Sequence, residues 1–323
     1  MTNPTRADST RNPAPLILGS RGSALALAQA RWVQARLAEK EPASRPEIRI
    51  IRTEGDRSQS VPLASGTTVG IFVREIEEEL LSGRIDLAVH SLKDLPTAQP
   101  AGLEIAAIPA REDPRDVLVL REGKTLDDLP RGAVIGTGSP RRVGQILALR
   151  PDLRFEAIRG NVDTRIRKLR EGRVAALVLA AAGLNRLGIT DVTFEPFSLE
   201  ELLPAPGQGA LGIEIRAGDA TLAGLLRHAL DHPPTSAAAR AERAFLKALG
   251  GGCQMPVGAL GTVEGEELIL KGAVAAVDGS SVLRDEERGG VSSPEPVGIR
   301  LGKRMLRSGA AELMARKPRG AGE

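Results

Sequence analysis

Three glycine-containing segments place arginine and hydroxyl side chains directly after short β-type runs: Gly19-Ser20-Arg21-Gly22-Ser23, Gly136-Thr137-Gly138-Ser139-Pro140-Arg141-Arg142 and Arg159-Gly160-Asn161-Val162-Asp163-Thr164-Arg165. Each runs on into a helical pattern. Ser23, Ser139 and Asn161 suit N-cap positions, and Pro140 suits the first helical position. Capping does not account for Arg141 and Arg142, because positive charge in the first turn opposes the helix dipole at about 0.3–1 kcal/mol each when exposed. An anion held there would reverse that cost, pairing with the guanidinium groups and the free backbone N–H groups together. In open α/β sheets such loops at the carboxyl ends of strands line the ligand crevice. Several of them converging point to a multiply charged anionic ligand.

A fourth strand end, Val89-His90-Ser91-Leu92-Lys93-Asp94-Leu95-Pro96, sets an amine beside a carboxylate. Two readings fit. In one, Asp94 caps a turn before proline and Lys93 is solvated. In the other, the carboxylate hydrogen-bonds an N–H group or stabilises a cation, its charge kept by nearby Arg. Cys253, the single cysteine, follows Gly250-Gly251-Gly252. It is either a small buried hydrophobe or a sulfur presented to a cleft by a loop whose glycines allow close packing or unusual backbone angles.

Other chemistry is poorly supplied. One cysteine excludes an internal disulfide framework and any Cys-rich metal site, and His90, His228 and His232 leave little for a metal centre. His228 and His232 are four residues apart, but Pro233 ends that helix at once. The glycines near 136–144 do not match the dinucleotide spacing, and no phosphate-binding Gly-Lys-Ser/Thr loop is present. Basic and acidic residues number 44 and 41, yet the charge is uneven: residues 141–173 hold nine Arg and Lys168 against four carboxylates. Such a band could be a solvated face, an anion site or a nucleic-acid site. With no Tyr, one Trp and five Phe, stacking platforms for single strands are scarce.

The elements that must position these groups follow from the pattern. At 323 residues and roughly 150 per domain, two or three domains are expected. The composition, 41% hydrophobic and 26% charged, is that of a globular protein, and no apolar run reaches the roughly 18 residues of a membrane span. The polar first 15 residues predict no signal peptide, a loose tail and a cytoplasmic protein. Strands are expected at 16–18, 47–52, 85–89, 103–108, 117–120, 133–137, 153–158, 176–180 and 212–215, with amphipathic helices at 24–39, 72–81, 141–149 and 162–170. That alternation predicts open α/β sheets. Two Pro-rich crossings, 108–114 and 203–209, read as hinges between two lobes. Beyond 231–234 a helix at 236–249, strands at 257–263, 267–277 and 281–286 and a helix at 296–316 make a small α+β domain.

Taken in order, seven segments resemble the porphobilinogen deaminase (hydroxymethylbilane synthase) family: 19–29, 90–96, 111–116, 136–142, 159–165, 203–210 and 251–256. The resemblance runs from about residue 16 to 315. It implies a transferase of tetrapyrrole and heme biosynthesis that joins four porphobilinogens head to tail, releases ammonia from each, and frees the linear tetrapyrrole hydroxymethylbilane by hydrolysis. It implies a dipyrromethane cofactor in thioether linkage to Cys253. Asp94 falls on the family's catalytic aspartate, which stabilises the positive charge that develops as the aminomethyl group leaves; Lys93 and Arg21 are implied alongside it. Cofactor contacts fall on Ser23, Lys93, Asp94, Thr137, Ser139, Arg141, Arg142 and Gly160, and substrate contacts on Arg21, Phe72, Arg159, Arg165, Arg186 and Gln208. The implied fold is two lobes resembling type II periplasmic binding proteins, 15–109 plus 209–229 and 114–203, with a third small α+β domain at 233–316 and flexible tails at 1–14 and 317–323. No metal, nucleic acid or membrane is implied, and the expected state is a cytoplasmic monomer. One departure stands out: Ser65 and Val69 occupy positions where many members carry lysines, in a loop that looks like a mobile lid.

A two-lobed binding protein for organic anions is the competing reading. It would use the arginines but need neither Cys253 nor Asp94.

Overall fold

The computed structural model describes residues 14–53, 73–252 and 254–316. Cys253, Phe72, Ser65 and Val69 lie outside the described residues. The first sheet contains β1 (Ile17–Arg21), β2 (Glu47–Ile51), β3 (Leu87–Ser91), β4 (Leu103–Ala107) and, from much later in the chain, β10 (Leu211–Arg216), in the order β2-β1-β3-β10-β4. The second contains β5 (Asp116–Leu120), β6 (Val134–Gly136), β7 (Arg154–Glu156), β8 (Ala176–Ala180) and β9 (Phe194–Pro196), in the order β7-β6-β8-β5-β9.

The two sheets share one plan. Three parallel strands are followed by an antiparallel one, β10 in the first lobe and β5 in the second. Each antiparallel strand is the first to form after the chain crosses from the other lobe. Because it runs backwards, it begins where its parallel neighbour ends: Leu211 pairs with Ser91, and Asp116 pairs with Ala180. Both crossings therefore reach the carboxyl edges of the sheets, where the motif loops sit.

Strand alternation explains the layers. In β3, Leu87 and Val89 pack with Val33 and Leu37 of α1 (Ala24–Lys40) and Leu226 and Leu230 of α6 (Ala220–Leu230), while Ala88 packs with Ile76 and Leu80 of α2 (Arg74–Leu81). The second sheet is sandwiched likewise. Ile146 of α3 (Pro140–Leu149) joins Ile135 and Val178 on one face, and Ile166 of α4 (Val162–Arg170) and Leu184 of α5 (Ala181–Leu187) join Leu177 and Leu179 on the other. Each fully buried Leu or Ile contributes about 1.5–3 kcal/mol.

The third unit is an antiparallel meander of β11 (Val257–Glu264), β12 (Glu267–Ala275) and β13 (Val282–Gly290), covered by α7 (Pro233–Ala248) and α8 (Pro294–Arg307) around Phe245, Leu268, Leu270 and Leu301. It docks on the second lobe at Gly144 of α3, where a Cβ would lie 2.6 Å from the carbonyl oxygen of Ala276.

Several details differ from the sequence expectation, among them α5 and α6, helices that the pattern did not single out. The helix expected over 296–316 is broken: Ser308 ends α8, Gly309 takes the left-handed conformation at φ 94°, and α9 (Ala310–Met314) follows. β9 was not expected because it is three residues long and contains Pro196, features tolerated on the edge strand it forms against β5. His228 and His232 do not share a helix; His232 caps α7, its Nδ1 accepting from the Thr235 N–H at 3.3 Å.

Glu242 of α7 ties the third unit to both crossings. Fully buried, it accepts from Arg111 at 2.9 Å, from the Gly207 N–H at 2.6 Å and from the Gly261 N–H at 2.8 Å. Removing one partner of such a buried pair costs about 3–5 kcal/mol. Glu242→Ala is thus expected to lower unfolding stability by about that amount, read as an earlier urea midpoint; a midpoint equal to wild type would show that the clamp is not formed.

Candidate active site

The carboxyl edges of the two sheets bring together most of the residues the sequence singled out. β1 ends at Arg21, and Ser23 caps α1 by accepting from the Ala26 N–H at 3.3 Å. β3 ends at Ser91, held by Gln29 at 2.9 Å, and a 3-10 turn over Leu92–Asp94 carries Lys93 and Asp94. Arg21, Ser23, Gln29, Ser91 and Asp94 line one cleft, with the Asp94 side exposed to it. From the second lobe, Thr137 and Ser139 lead into α3, and Gly160 leads into α4 with φ 113°. Ser139 and Asn161 stand at N-cap positions without a side-chain cap bond, contrary to the simple capping expectation; the Ser139 N–H instead donates to Thr137 Oγ1 at 3.3 Å.

The anion required by Arg141 and Arg142 is internal. Asp116, fully buried at the start of β5, accepts from Arg141 Nη1 at 2.6 Å through Oδ2, and from Arg142 Nε at 2.9 Å and Nη2 at 2.6 Å through Oδ1. The guanidinium groups also donate to the carbonyls of Leu203 and Val178 at 2.8 and 2.7 Å. Burial alone would raise the Asp116 carboxyl, but Arg141 and Arg142 override it and hold the group well below the usual carboxylate range. Two cations on one carboxylate leave a net positive wall. Burial, then the Arg141 neighbour, holds Arg142 below the ordinary guanidinium value against the pull of Asp116.

Gln208 links this cluster to the first lobe. Its amide donates to Asp116 Oδ1 at 3.0 Å and to the Pro114 carbonyl at 2.7 Å, while its Oε1 accepts from Lys93 Nζ at 3.1 Å. Arg165 donates to the Gly160 carbonyl at 2.8 Å; burial lowers its pKa, with Arg142 adding to the effect and Asp94 opposing it. Arg186 donates to the Gly209 carbonyl at 2.7 Å and is lowered by burial. Arg159 is exposed at the mouth of α4. The rest of the arginine band is largely surface ion pairing: Arg150 with Asp152, Arg170 with Asp191 and Arg173 with Glu156.

A group carrying several carboxylates and N–H donors fits these residues by donor chemistry, guanidinium groups for the carboxylates and Asp94 for the N–H. The approach to Cys253 fits as well. Gly250, Gly251 and Gly252 have φ of 114°, 64° and 149°, conformations that side chains rarely adopt, and a Cβ on Gly251 would stand 2.9 Å from Thr97 Oγ1, three residues beyond Asp94. Asp116 was missed as a functional residue in the sequence. Its signal was a carboxylate opening the apolar run Asp116-Val117-Leu118-Val119-Leu120, every residue of which is buried.

Two α/β lobes of one plan, joined by two crossings and carrying buried guanidinium groups in one and an exposed carboxylate in the other, are the class of fold the chain adopts. Family comparison gives the particular case. The model described as "Porphobilinogen deaminase, dipyromethane cofactor binding domain" matches residues 16–224, and that described as "Porphobilinogen deaminase, C-terminal domain" matches residues 236–307. This chain belongs to the porphobilinogen deaminase family. A porphobilinogen deaminase of Desulforudis audaxviator is 50% identical over 306 residues, covering 95% of this chain and 99% of that protein. One from Thermus thermophilus is 52% identical over 301 residues, covering 93% and 98%. Among solved structures, the periplasmic aliphatic sulphonate-binding protein of Escherichia coli is similar at 16% identity and TM-score 0.37, covering 73% of this chain and 70% of that one.

Lys93 gives a pH-dependent handle. Burial lowers its amine to about 8, opposed by Asp94 and assisted by Arg142. Below that value it is an ammonium ion, and above it the cleft loses one positive charge. Because a bound carboxylate raises an amine pKa, the test uses cofactor-free protein. Loading from porphobilinogen is expected to slow as pH rises through about 8, and Lys93→Met is expected to load slowly without that limb. An unchanged pH profile in Lys93→Met would contradict the assignment.

Proposed function

We propose that this chain is the hydroxymethylbilane-forming transferase of tetrapyrrole synthesis, joining four porphobilinogens head to tail with loss of ammonia and releasing the linear product by hydrolysis. The observation that carries the reading is the position of Asp94: an exposed carboxylate just after β3, in a cleft shared with Arg21 and Ser23. An anion-binding protein has no use for a carboxylate projecting into its anion site. A reaction that develops positive charge on a pyrrole does.

Cys253 would hold dipyrromethane in thioether linkage, and that group, when bound, would supply the pyrrole carbon to which the first substrate unit is joined. Arg141 and Arg142, fixed by Asp116, form the wall that receives ring carboxylates, with Thr137, Ser139, Ser23 and Gly160 lining the approach and Lys93 adding charge. Arg21, Arg159, Arg165 and Arg186 hold the acetate and propionate groups of incoming porphobilinogen, Gln208 orients Lys93, and Phe72, outside the described residues, is assigned to the rings by the family resemblance alone. Asp94 accepts from pyrrole N–H groups, stabilises the cation formed as the amine departs, and takes part in proton movement. Fixed guanidinium forks suit this work because they orient the substrate before charge develops.

The reading includes a cytoplasmic, monomeric enzyme with no nucleic-acid or membrane partner. Among the described residues, no helix is long and apolar enough to cross a membrane.

One pair of measurements tests the proposal. Denatured protein from cells that make porphobilinogen is expected to show two pyrrole units added at Cys253 by intact-mass analysis and peptide mapping. Asp94→Asn is expected to fold normally and to turn over porphobilinogen at least about 100-fold more slowly. Active protein with unmodified Cys253 would remove the cofactor assignment, and near-normal turnover by Asp94→Asn would remove Asp94 from the mechanism.

A further inference from the structure

Behind the Lys93–Asp94 turn lies a second polar chain that the roles above leave unused. β3 sends His90 to the α2 face of the first sheet, and β10 sends Glu214, in register with Ala88, to the same face. His90 Nε2 lies 3.2 Å from Glu214 Oε2 without hydrogen-bond geometry, and both side chains are buried. Glu77 of α2 faces the pair, its carboxyl raised by burial and then by Glu214, with His90 opposing. The other oxygen of Glu214 accepts from Gln99 Nε2 at 2.9 Å.

Gln99 passes the connection outward. Its Oε1 accepts from Arg243 Nη2 at 3.4 Å, and the same guanidinium donates to the carbonyls of Leu95 at 3.2 Å and Pro96 at 2.6 Å. Arg243 belongs to α7, and only Leu249 separates the end of α7 from Gly250. Residues 95–99, directly after Asp94, are thus held from the core side by Glu214 and from the third unit by Arg243. A Cβ on Gly251 would stand 2.9 Å from Thr97 Oγ1 in the same segment, so the loop backbone passes close to it.

Burying a carboxylate beside a histidine is a poor way to gain stability, since an apolar pair of similar volume does as well or better. What such a chain does supply is a fixed geometry between two parts of the protein. We infer that Glu214, Gln99 and Arg243 form a positioning device that holds the Asp94 segment in register with the loop 250–252, making Gln99 and Arg243 positioning residues for turnover. The inference rests on the proposed roles of Asp94 and Cys253.

The test compares wild type, Gln99→Met, Arg243→Gln and the double variant, all with intact-mass confirmation of cofactor loading. Each single change is expected to lower kcat about tenfold or more while leaving KM for porphobilinogen within about twofold. The double variant is expected to be no slower than the slower single, because both changes break one chain. Folded, loaded single variants that turn over at the wild-type rate would overturn the inference, as would losses that multiply in the double variant. If Gln99→Met does not fold, Gln99→Asn, too short to reach both partners, is read in the same way. Failure of wild type itself to turn over porphobilinogen would overturn the reading of the reaction and this inference with it; normal wild-type turnover with unaffected variants overturns the inference alone.

Discussion

The buried carboxylate of Asp116 decides how the two lobes meet. Two guanidinium groups at the start of a helix repel each other and oppose the helix dipole, so Arg141 and Arg142 are stable there only with a counter-charge at hand. Asp116 supplies it, and it stands there because β5 runs antiparallel and begins at the carboxyl end of β8. The topology of the crossing and the electrostatics of the site are therefore one constraint. Through Gln208 the same carboxylate fixes Lys93, so a single buried charge organises cations from both lobes.

Glu242 plays the matching part for the third unit. It gathers Arg111 from the first crossing, Gly207 from the second and Gly261 from β11. Two buried carboxylates thus tie down the two crossings: Asp116 binds Arg141, Arg142 and Gln208, and Glu242 fixes the helix that leads to the glycine loop. Asp94, by contrast, is left exposed on a short turn, the condition under which a carboxylate is free to meet a ligand.

The lobes were legible because apolar alternation is strong. Strands such as 103–107 and 176–180, and the helix 162–170, agree with the sequence pattern to within a residue or two. Short pieces were less so: β9 carries a proline, and the break at Ser308–Gly309 interrupts a helical pattern that is otherwise continuous. The motif loops of the site were visible as arginine and serine following glycine at strand ends. Their energetics were only half visible. The cost of Arg141 and Arg142 demanded an anion, but nothing local could say that it sits 25 residues earlier in the chain. Glu242 was hidden for the same reason, and Gln208, which the resemblance gave as a substrate contact, did not reveal its bonds to Asp116 and Lys93, since these partners come together only when both crossings are in place. Cys253 and Asp94, each ambiguous in its own neighbourhood, gained meaning from the order of seven motifs along the chain.

In the proposed function, Asp116 preorganises the cationic wall on which the cofactor would be built. Intact-mass analysis of Asp116→Asn beside wild type, both purified from cells that make porphobilinogen, tests it most directly. The expected result is wild type carrying two pyrrole units and Asp116→Asn less stable to urea and mainly unloaded even in its folded, monodisperse fraction. Full loading of Asp116→Asn, with turnover equal to wild type, would contradict it.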